Sequence, residues 1–357
     1  MWDMTPEERK PQAVSWHRTP IEPRELKRLH QRSDLRGLVQ TLGYLALLAA
    51  TGGMAFFSAG RLPWPGVLGL VFLHGTVFAF LPNGVHELGH GTVFRTKWLN
   101  RLFDGVLSFL GWINFEMFEA SHAMHHRYTL HPPDDLEVVL PLRVMVSHFF
   151  RQGFVNPVAA FHTLRGAILV AGGRLQTTVA GADLGNEWMQ TLFPASEPEK
   201  RTKPIRWARV LLAGHGLILA VSVYFHLWML PVVTTLAPFY GSWLFFLCNN
   251  TQHIGLRDNV PDFRLCCRTF TLNPLVGFLY WHMNYHIEHH MYAAVPCYNL
   301  ARLHASIRHD LPPCRHGLVS TWRGIAEIQR RQDADPSYQY AAPLPAPGTA
   351  QDSAAYG

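Results

Sequence analysis

Two long apolar segments without charged residues dominate the first quarter of the chain. They cover residues 37–59 and 64–84, and a turn containing Arg61 and Pro63 separates them. A helix of roughly 20 residues is long enough to cross a hydrocarbon layer of about 30 Å. The pattern therefore predicts two membrane-spanning helices joined by a very short turn.

A second apolar block covers residues 210–250, and Pro231 lies near its middle. The block is too long for one crossing, and proline interrupts a helix because it lacks the amide hydrogen. We therefore predict a second pair of spans, at about 210–230 and 231–250. Buried core helices of a soluble protein are the alternative, but two such pairs are uncommon in soluble proteins.

Composition supports the membrane interpretation. The chain is 48% hydrophobic and only 16% charged, whereas soluble domains carry about 25% charged residues. No nucleic-acid motif accompanies the net charge of +6, so we assign that charge to a membrane surface and expect no nucleic-acid partner. The five cysteines form no CxxC pair, which argues against a disulfide framework and is typical of a reducing compartment.

The distribution of Lys and Arg predicts the orientation. Residues 1–36 contain eight of them, the turn of the first hairpin contains only Arg61, and the turn near Pro231 contains none. Because positive residues stay on the cytosolic side, both termini and the central loop are expected to be cytosolic. The predicted fold is an all-α integral membrane protein, with four transmembrane helices in two hairpins and a cytosolic helical cap.

Three regions follow from this prediction. Residues 1–36 form a cytosolic N-terminal segment, and residues 37–320 form the membrane domain. Residues 321–357 form a C-terminal tail, which is rich in Pro and Ala toward its end and is expected to be disordered from about residue 332.

Histidine is the unusual residue of this chain, with 21 copies, and four clusters fall on the predicted cytosolic side. The clusters comprise His86 and His90; His122, His125 and His126; Asn249 and His253; and His286, His289 and His290. Residues three or four positions apart lie on one face of a helix. If the helices converge, nine imidazoles and one amide face a common volume.

Nine imidazoles are too many for one metal ion, since a catalytic zinc takes three protein ligands. Two metal ions are the economical interpretation, although imidazole suits iron, zinc and copper about equally. The segment His86–His90 also matches HExxH, the pattern of zinc peptidases with Glu87 as general base. A peptidase or a non-catalytic metal-handling membrane protein therefore stays open as an alternative.

Other histidines lack a partner at helical spacing. His74, His215 and His226 lie inside the predicted spans, and we assign them to hydrogen bonds between helices. His282 lies four residues before His286 and is either a ligand or a residue that orients one. It is left out of the predicted ligand set.

The order HxxxH, HxxHH and HxxHH between two apolar pairs resembles the membrane fatty acid desaturase superfamily. The resemblance covers about residues 37–320 and includes Met283-Asn-Tyr-His286-Ile-Glu-His289-His290-Met291-Tyr. The pair Asn249 and His253 is similar to the extra ligand pair of acyl-CoA desaturases. In the first of these three histidine motifs, or boxes, the number of residues between the two histidines is one fewer than in acyl-CoA desaturases. The third box begins with His286 rather than Gln.

The resemblance implies a non-haem centre of two iron ions, held by the nine histidines and Asn249, that uses O₂ as co-substrate. It implies desaturation of a fatty acyl chain or related lipid, with hydroxylation on the same centre as the alternative. The sequence contains no flavin, nicotinamide, iron–sulfur or haem motif, so we expect an external electron donor. A ferredoxin, or a cytochrome b5 with its reductase, would dock on a basic surface for which we name Arg127, Lys200, Arg201, Lys203 and Arg206.

Overall fold

The computed structural model describes residues 13–140, 142–175 and 185–346, and these residues are mostly helical. Within them the α-helices are α1 (Pro23–Leu29), α2 (Asp34–Ser58), α3 (Trp64–Phe78), α4 (Leu81–Gly89), α5 (Lys97–Leu110), α6 (Phe115–Tyr128), α7 (Val146–Gly153), α8 (Pro157–Ala171), α9 (Gly185–Leu192), α10 (Pro198–Tyr224), α11 (Met229–Val233), α12 (Trp243–Asn249), α13 (Phe263–Cys266), α14 (Pro274–Leu279), α15 (His286–Met291), α16 (Leu300–Ile307) and α17 (Gly317–Ala334). Two short parallel strands, β1 (Phe270–Thr271) and β2 (Arg315–His316), pair beside α17.

In the described part of the chain, three helical stretches are long and apolar enough to cross a membrane. They are Asp34–Ser58, Trp64–Gly89 and Pro198–Tyr224. The second joins α3 and α4 almost continuously, and α2 packs against α3. Large apolar side chains stay exposed on these stretches, including Val39, Phe57, Leu68, Leu217 and Val223. Hydrocarbon is the solvent that suits such a surface.

Residues 231–250, which we predict as the fourth span, do not form one continuous helix. Helix α11 ends at Val233, a 3-10 turn covers Ala237–Phe239, and α12 begins only at Trp243. Pro238 and Gly241 explain the interruption. Gly241 has a φ of +71°, and a Cβ on it would lie 2.8 Å from the backbone of Gly75, so only glycine fits there.

The third predicted span also differs in its bounds. Helix α10 begins at Pro198 and ends at Tyr224, rather than covering 210–230. His226 follows that end with a φ of +55° and an exposed side chain. Our assignment of His226 to a bond between helices is therefore wrong, because the helix ends before reaching it.

Side chains satisfy the backbone of the interrupted segment. His74 Nε2 lies 2.9 Å from the carbonyl of Val233, Trp112 Nε1 donates to the carbonyl of Thr235, and Tyr240 donates to the carbonyl of Val232. His215 Nδ1 lies 3.1 Å from Thr235 Oγ1. Irregular backbone is tolerated at membrane depth only where protein groups bond it. The predicted role of His74 and His215 is thus confirmed.

Residues 332–346 are more ordered than the sequence predicts. Helix α17 continues to Ala334 because its apolar face is buried, with Ile328 packed against Gly255. The chain then turns back, and the Tyr340 amide donates to the carbonyl of Gly255 at 2.9 Å. Residues 347–357 of the predicted tail, like residues 1–12, lie outside the described residues.

Close packing in the core fixes where the first histidine cluster lies. Gly84 of α4 faces Trp281 and Leu107, both fully buried. A Cβ on Gly84 would lie 2.5 Å from Leu107 Cδ1 and 2.8 Å from the Trp281 ring. Glycine therefore lets α4 approach the segment that leads into α15, and this approach brings two histidine clusters together.

Candidate metal centre

Helix α4 carries the first two predicted ligands at its C-terminal end. His86 lies in the last turn, and His90 is the residue that caps the helix. Their Nε2 atoms are 3.3 Å apart, as expected for positions i and i+4 on one helical face. The HxxxH spacing thus gives a pair of imidazoles that converge on one point.

Helix α6 carries the second cluster. The Asn114 side chain accepts from the Met117 amide and so caps the start of the helix. His122, His125 and His126 follow in its last two turns, and the rings of His122 and His126 lie 4.5 Å apart by their centres. The cluster faces α4, since the rings of His86 and His122 are 4.1 Å apart.

Helix α15 carries the third cluster after a sharp backbone turn. Trp281 and His282 both adopt positive φ, at +51° and +61°. Such a conformation costs about 1–2 kcal/mol per residue, and here it is held by the complete burial of Trp281. The turn aims His286, His289 and His290 at the histidines of α4 and α6.

The nine predicted histidines form two compact groups. In each group the ligand nitrogens all lie within 4.8 Å of one another. The first group contains His86, His90, His122, His126 and His289, and the second contains His125, His253, His286 and His290. The groups adjoin, because the rings of His126 and His290 stack at 4.3 Å.

The helical spacing explains the division. Each i, i+4 pair stays within one group, as His122 with His126 and His286 with His290. The remaining histidine of each HxxHH box, His125 or His289, points to the other group. The second and third boxes therefore each serve both groups, and sequence spacing had left either pairing open.

The distances within the groups fit metal coordination. Two nitrogens that bind one ion at about 2.1 Å and at right angles lie about 3.0 Å apart. The observed Nε2–Nε2 distances are 3.1 Å for His86–His289 and for His126–His289, 2.9 Å for His253–His286, and 3.1 Å for His286–His290. In addition, the buried Nε2 of His122 has no hydrogen-bond partner among the described residues. The donor sets therefore fit two ions.

Burial keeps most of these imidazoles in the neutral form that binds metal. Burial and the nearby His122 lower the pKa of His90 to about 3, and burial and His125 lower the pKa of His253 to about 3. The pKa values of His126, His289 and His290 are also lowered, mainly by burial.

His125 differs from the others because a buried carboxylate lies beside it. Burial lowers its pKa, but the Asp135 carboxylate outweighs that effect and raises the pKa to about 9. His125 Nδ1 lies 2.8 Å from Asp135 Oδ2. This contact leaves Nε2 facing the second group and fixes the direction of the ring.

Three further contacts hold ligand rings in the same way. His122 Nδ1 lies 2.9 Å from Glu137 Oε1, and His253 Nδ1 lies 2.8 Å from the carbonyl of Cys266. His290 Nδ1 lies 3.1 Å from the Thr129 hydroxyl. Sequence reasoning missed Glu137 and Thr129. The signal available for Glu137 was its position two residues after Asp135, in a loop whose fold the sequence does not reveal.

Glu87 lies between two histidines of the first group. Its Oε1 is 3.4 Å from His289 Nδ1 and 3.7 Å from His86 Nδ1. Both carboxylate oxygens are buried, and neither has a hydrogen-bond partner among the described residues. The first group does not fit the site of a zinc peptidase, because it contains five imidazoles, whereas a catalytic zinc binds three protein ligands.

The two groups do not contain Asn249, His282 or His304. Asn249 ends α12 and is half-buried, and the chain reaches His253 through turns with i to i+3 bonds rather than a continuous helix. His282 belongs to neither group. His304, which the sequence did not single out, lies against the buried Glu288, whose other oxygen accepts from Thr269.

Comparison with known proteins agrees with this arrangement. The family model described as fatty acid desaturase matches residues 62–322. The sn-1 oleoyl-lipid 12-desaturase of Picosynechococcus sp. (strain ATCC 27264 / PCC 7002 / PR-6) is 25% identical over 314 residues, which cover 82% of this chain and 84% of that relative. The matched region contains both histidine groups and most of the apolar helices, and the chain belongs to the fatty acid desaturase family of membrane oxidoreductases.

Proposed function

We propose that the chain is an O₂-dependent lipid desaturase whose centre holds two iron ions. One ion would take His86, His90, His122, His126 and His289, and the other would take His125, His253, His286 and His290, with Asn249 as a further proposed ligand. The observation that carries the proposal is the convergence of nine imidazoles, most of them buried, into two adjoining groups. Such a number exceeds what one ion or a purely structural cluster needs.

The irons would supply the oxidising power for removing hydrogen from an unactivated alkyl carbon, which lies beyond any side-chain acid or base. The chain's own residues fix the ligand rings. Asp135 and Glu137 hold His125 and His122 by their Nδ1 atoms, and the Cys266 carbonyl holds His253. His286, His289 and His290 are buried, which keeps water away from the third box.

The substrate of this proposal is a fatty acyl chain carried by a lipid. The relative from Picosynechococcus is named for an oleoyl-lipid, and three apolar helices give the chain a membrane setting. Phe118 is the nearest aromatic candidate for the substrate path. Its ring stacks on His122 at 5.2 Å and lies 6.2 Å from His86, so a chain beside Phe118 would lie close to the first group.

Electrons would come from an external ferredoxin or cytochrome b5. We place the donor on the side of the histidine boxes, which we propose to be cytosolic together with both termini. Lys200 and Arg127 are exposed there, and Lys200 pairs with Glu197 at 2.8 Å. Reversal of charge at Lys200, Arg201 and Lys203 should lower donor-supported turnover, and unchanged turnover would exclude this surface as the dock.

The test of the proposal is expression in a host that supplies ferredoxin and its reductase, followed by mass spectrometry of the total lipids. A new lipid species lacking two hydrogens is the expected product. The matched control is His125→Ala expressed to the same level, which should give no such species. A gain of one oxygen would identify a hydroxylase, and an unchanged lipid profile would contradict both activities. Metal analysis of the purified protein should find two irons per chain.

A further inference from the structure

A cavity of about 200 Å³ lies beside α17 and Arg268. Its lining includes Arg268, Arg315, Arg331, Thr321, Tyr338 and Tyr340. The two tyrosines belong to the segment that returns after α17, where the Tyr340 amide bonds Gly255. The cavity thus joins three separate parts of the chain.

Arg268 is half-buried beside this cavity and pairs with no carboxylate among the described residues. Its guanidinium donates instead to two backbone carbonyls, those of Thr251 and of Ile254, the latter at 2.9 Å. Burial and the neighbouring charge of Arg315 lower the pKa of Arg268 to about 10. A cation in this position gains from a nearby anion.

Arg315 supplies the second cation. Its Nη1 makes one long bond of 3.4 Å to the carbonyl of Ser320, and no described carboxylate pairs with it. The guanidinium lies against Gly324, where a Cβ would approach its Cζ to 2.7 Å. Gly324 therefore leaves the room in which the Arg315 head group lies.

The acidic residue that lines the cavity does not neutralise these two cations. Glu327 Oε2 accepts from Arg330 at 2.6 Å, and Glu327 Oε1 lies 3.4 Å from Arg331 Nε. Arg331 is thereby paired, and it also donates to the Tyr338 hydroxyl. Arg268 and Arg315 are left as two cations that line the same cavity.

We propose that this cavity binds a phosphate-bearing anion, either free phosphate or the phosphate of a lipid head group. Guanidinium groups match phosphate oxygens by paired hydrogen bonds, and the Tyr340 hydroxyl can donate a further bond. An anion here would offset the repulsion between Arg268 and Arg315. The site is separate from the desaturase centre, and its existence does not depend on the activity proposed above.

Occupancy of the cavity would act on the segment that carries His253. Arg268 bonds the carbonyls of Thr251 and Ile254, on either side of that histidine. An anion that fixes the Arg268 guanidinium would therefore stabilise residues 251–254. Binding is expected to raise the melting temperature of the full chain.

The experiment uses the purified full chain in detergent at constant ionic strength. Inorganic phosphate replaces chloride in one titration, and mixed micelles with phosphatidic acid replace micelles with phosphatidylcholine in another. Calorimetry and the melting temperature report binding. Arg315→Ala should weaken binding at least about tenfold, because one of the two guanidinium contacts is lost. Arg323→Ala on the exposed face of α17 has the same change of charge and should stay within about twofold.

The two titrations separate the sources of the ligand. A response to phosphate alone assigns a small soluble anion, a response to phosphatidic acid alone assigns a lipid head group, and either result supports the site. Absence of both responses, or equal losses in Arg315→Ala and Arg323→Ala, would overturn it. Arg315→Gln, which keeps more of the side-chain volume, replaces Arg315→Ala if the latter melts at a lower temperature without any ligand.

Discussion

His74 and His215 of the membrane region are as buried as most histidines of the two groups, yet their ring nitrogens have different partners. His74 bonds Thr51 with Nδ1 and the Val233 carbonyl with Nε2. His215 likewise uses both nitrogens, on Thr235 and on the Phe109 carbonyl. In the centre, a ring such as His125 bonds a carboxylate with Nδ1 and points Nε2 at other imidazoles. The free nitrogen, rather than burial, distinguishes a proposed ligand from a structural histidine.

The largest effect is expected from replacing a histidine of the centre. His125→Ala should remove at least half of the bound iron. It should also lower desaturation by more than the factor of about 10–100 that is typical when a residue that orients a metal ligand is replaced. Iron per chain, measured by elemental analysis, and product formation are the readouts. Full iron content in a folded His125→Ala protein would refute the assignment of this residue as a ligand.

An intermediate effect is expected from the carboxylates that hold the ligand rings. Asp135→Asn keeps the size of the side chain but removes the charge beside His125, so iron affinity should fall by about 10–100-fold. Competition with a chelator measures that affinity. Glu199→Gln, at an exposed position of α10, is the control and should bind iron like the unmodified chain. Equal affinities in all three proteins would show that Asp135 does not support the ligand.

A smaller effect, of a different kind, is expected from His74. His74→Ala leaves the Val233 carbonyl and the Thr51 hydroxyl without this partner, which should lower the free energy of unfolding by about 1–2 kcal/mol. Iron content should stay unchanged, because neither histidine group contains His74. Loss of iron from well-folded His74→Ala protein would break the distinction drawn above.

The smallest effect is expected from His226, which is exposed in the turn after α10. His226→Ala should change the free energy of unfolding by no more than about 0.5 kcal/mol and leave iron content unchanged. A thermal melt and an iron determination check both points. A loss comparable with that of His74→Ala would mean that the His226 side chain has a structural partner after all.

The local parts of this structure were predictable, and the parts that depend on long-range packing were not. Helical spacing gave eight of the nine histidines of the two groups, whereas His253 follows α12 through turns. The apolar pattern gave the stretches around α2, α3 and α10. The pattern did not show the break between α11 and α12, since Pro238 and Gly241 also occur within a run that is apolar throughout. Nor did it show that His125 and His289 belong to the other group, because the spacing of residues along one helix does not determine which neighbouring helix each side chain faces.

The partners of the ligand rings were harder still to predict. Glu137 reaches His122 from a loop, and the Cys266 carbonyl reaches His253 across 13 positions of the chain. Neither contact produces a repeated motif or a periodic pattern that could be recognised in the sequence. The return of the chain after α17 was missed for a similar reason, because the Pro- and Ala-rich composition nearby outweighed the two tyrosines that pack there.

One histidine of each HxxHH box, His125 or His289, lies in the other group, and this has a consequence for how the metal centre is assembled. Helices α6 and α15 each give side chains to both groups, so an ion that orders either helix at one position also orders ligands for the other. Filling of the two positions should then be cooperative, with chains carrying either both ions or none. Titration of metal into the empty protein would show a sigmoidal curve, and singly loaded chains would be scarce at half saturation.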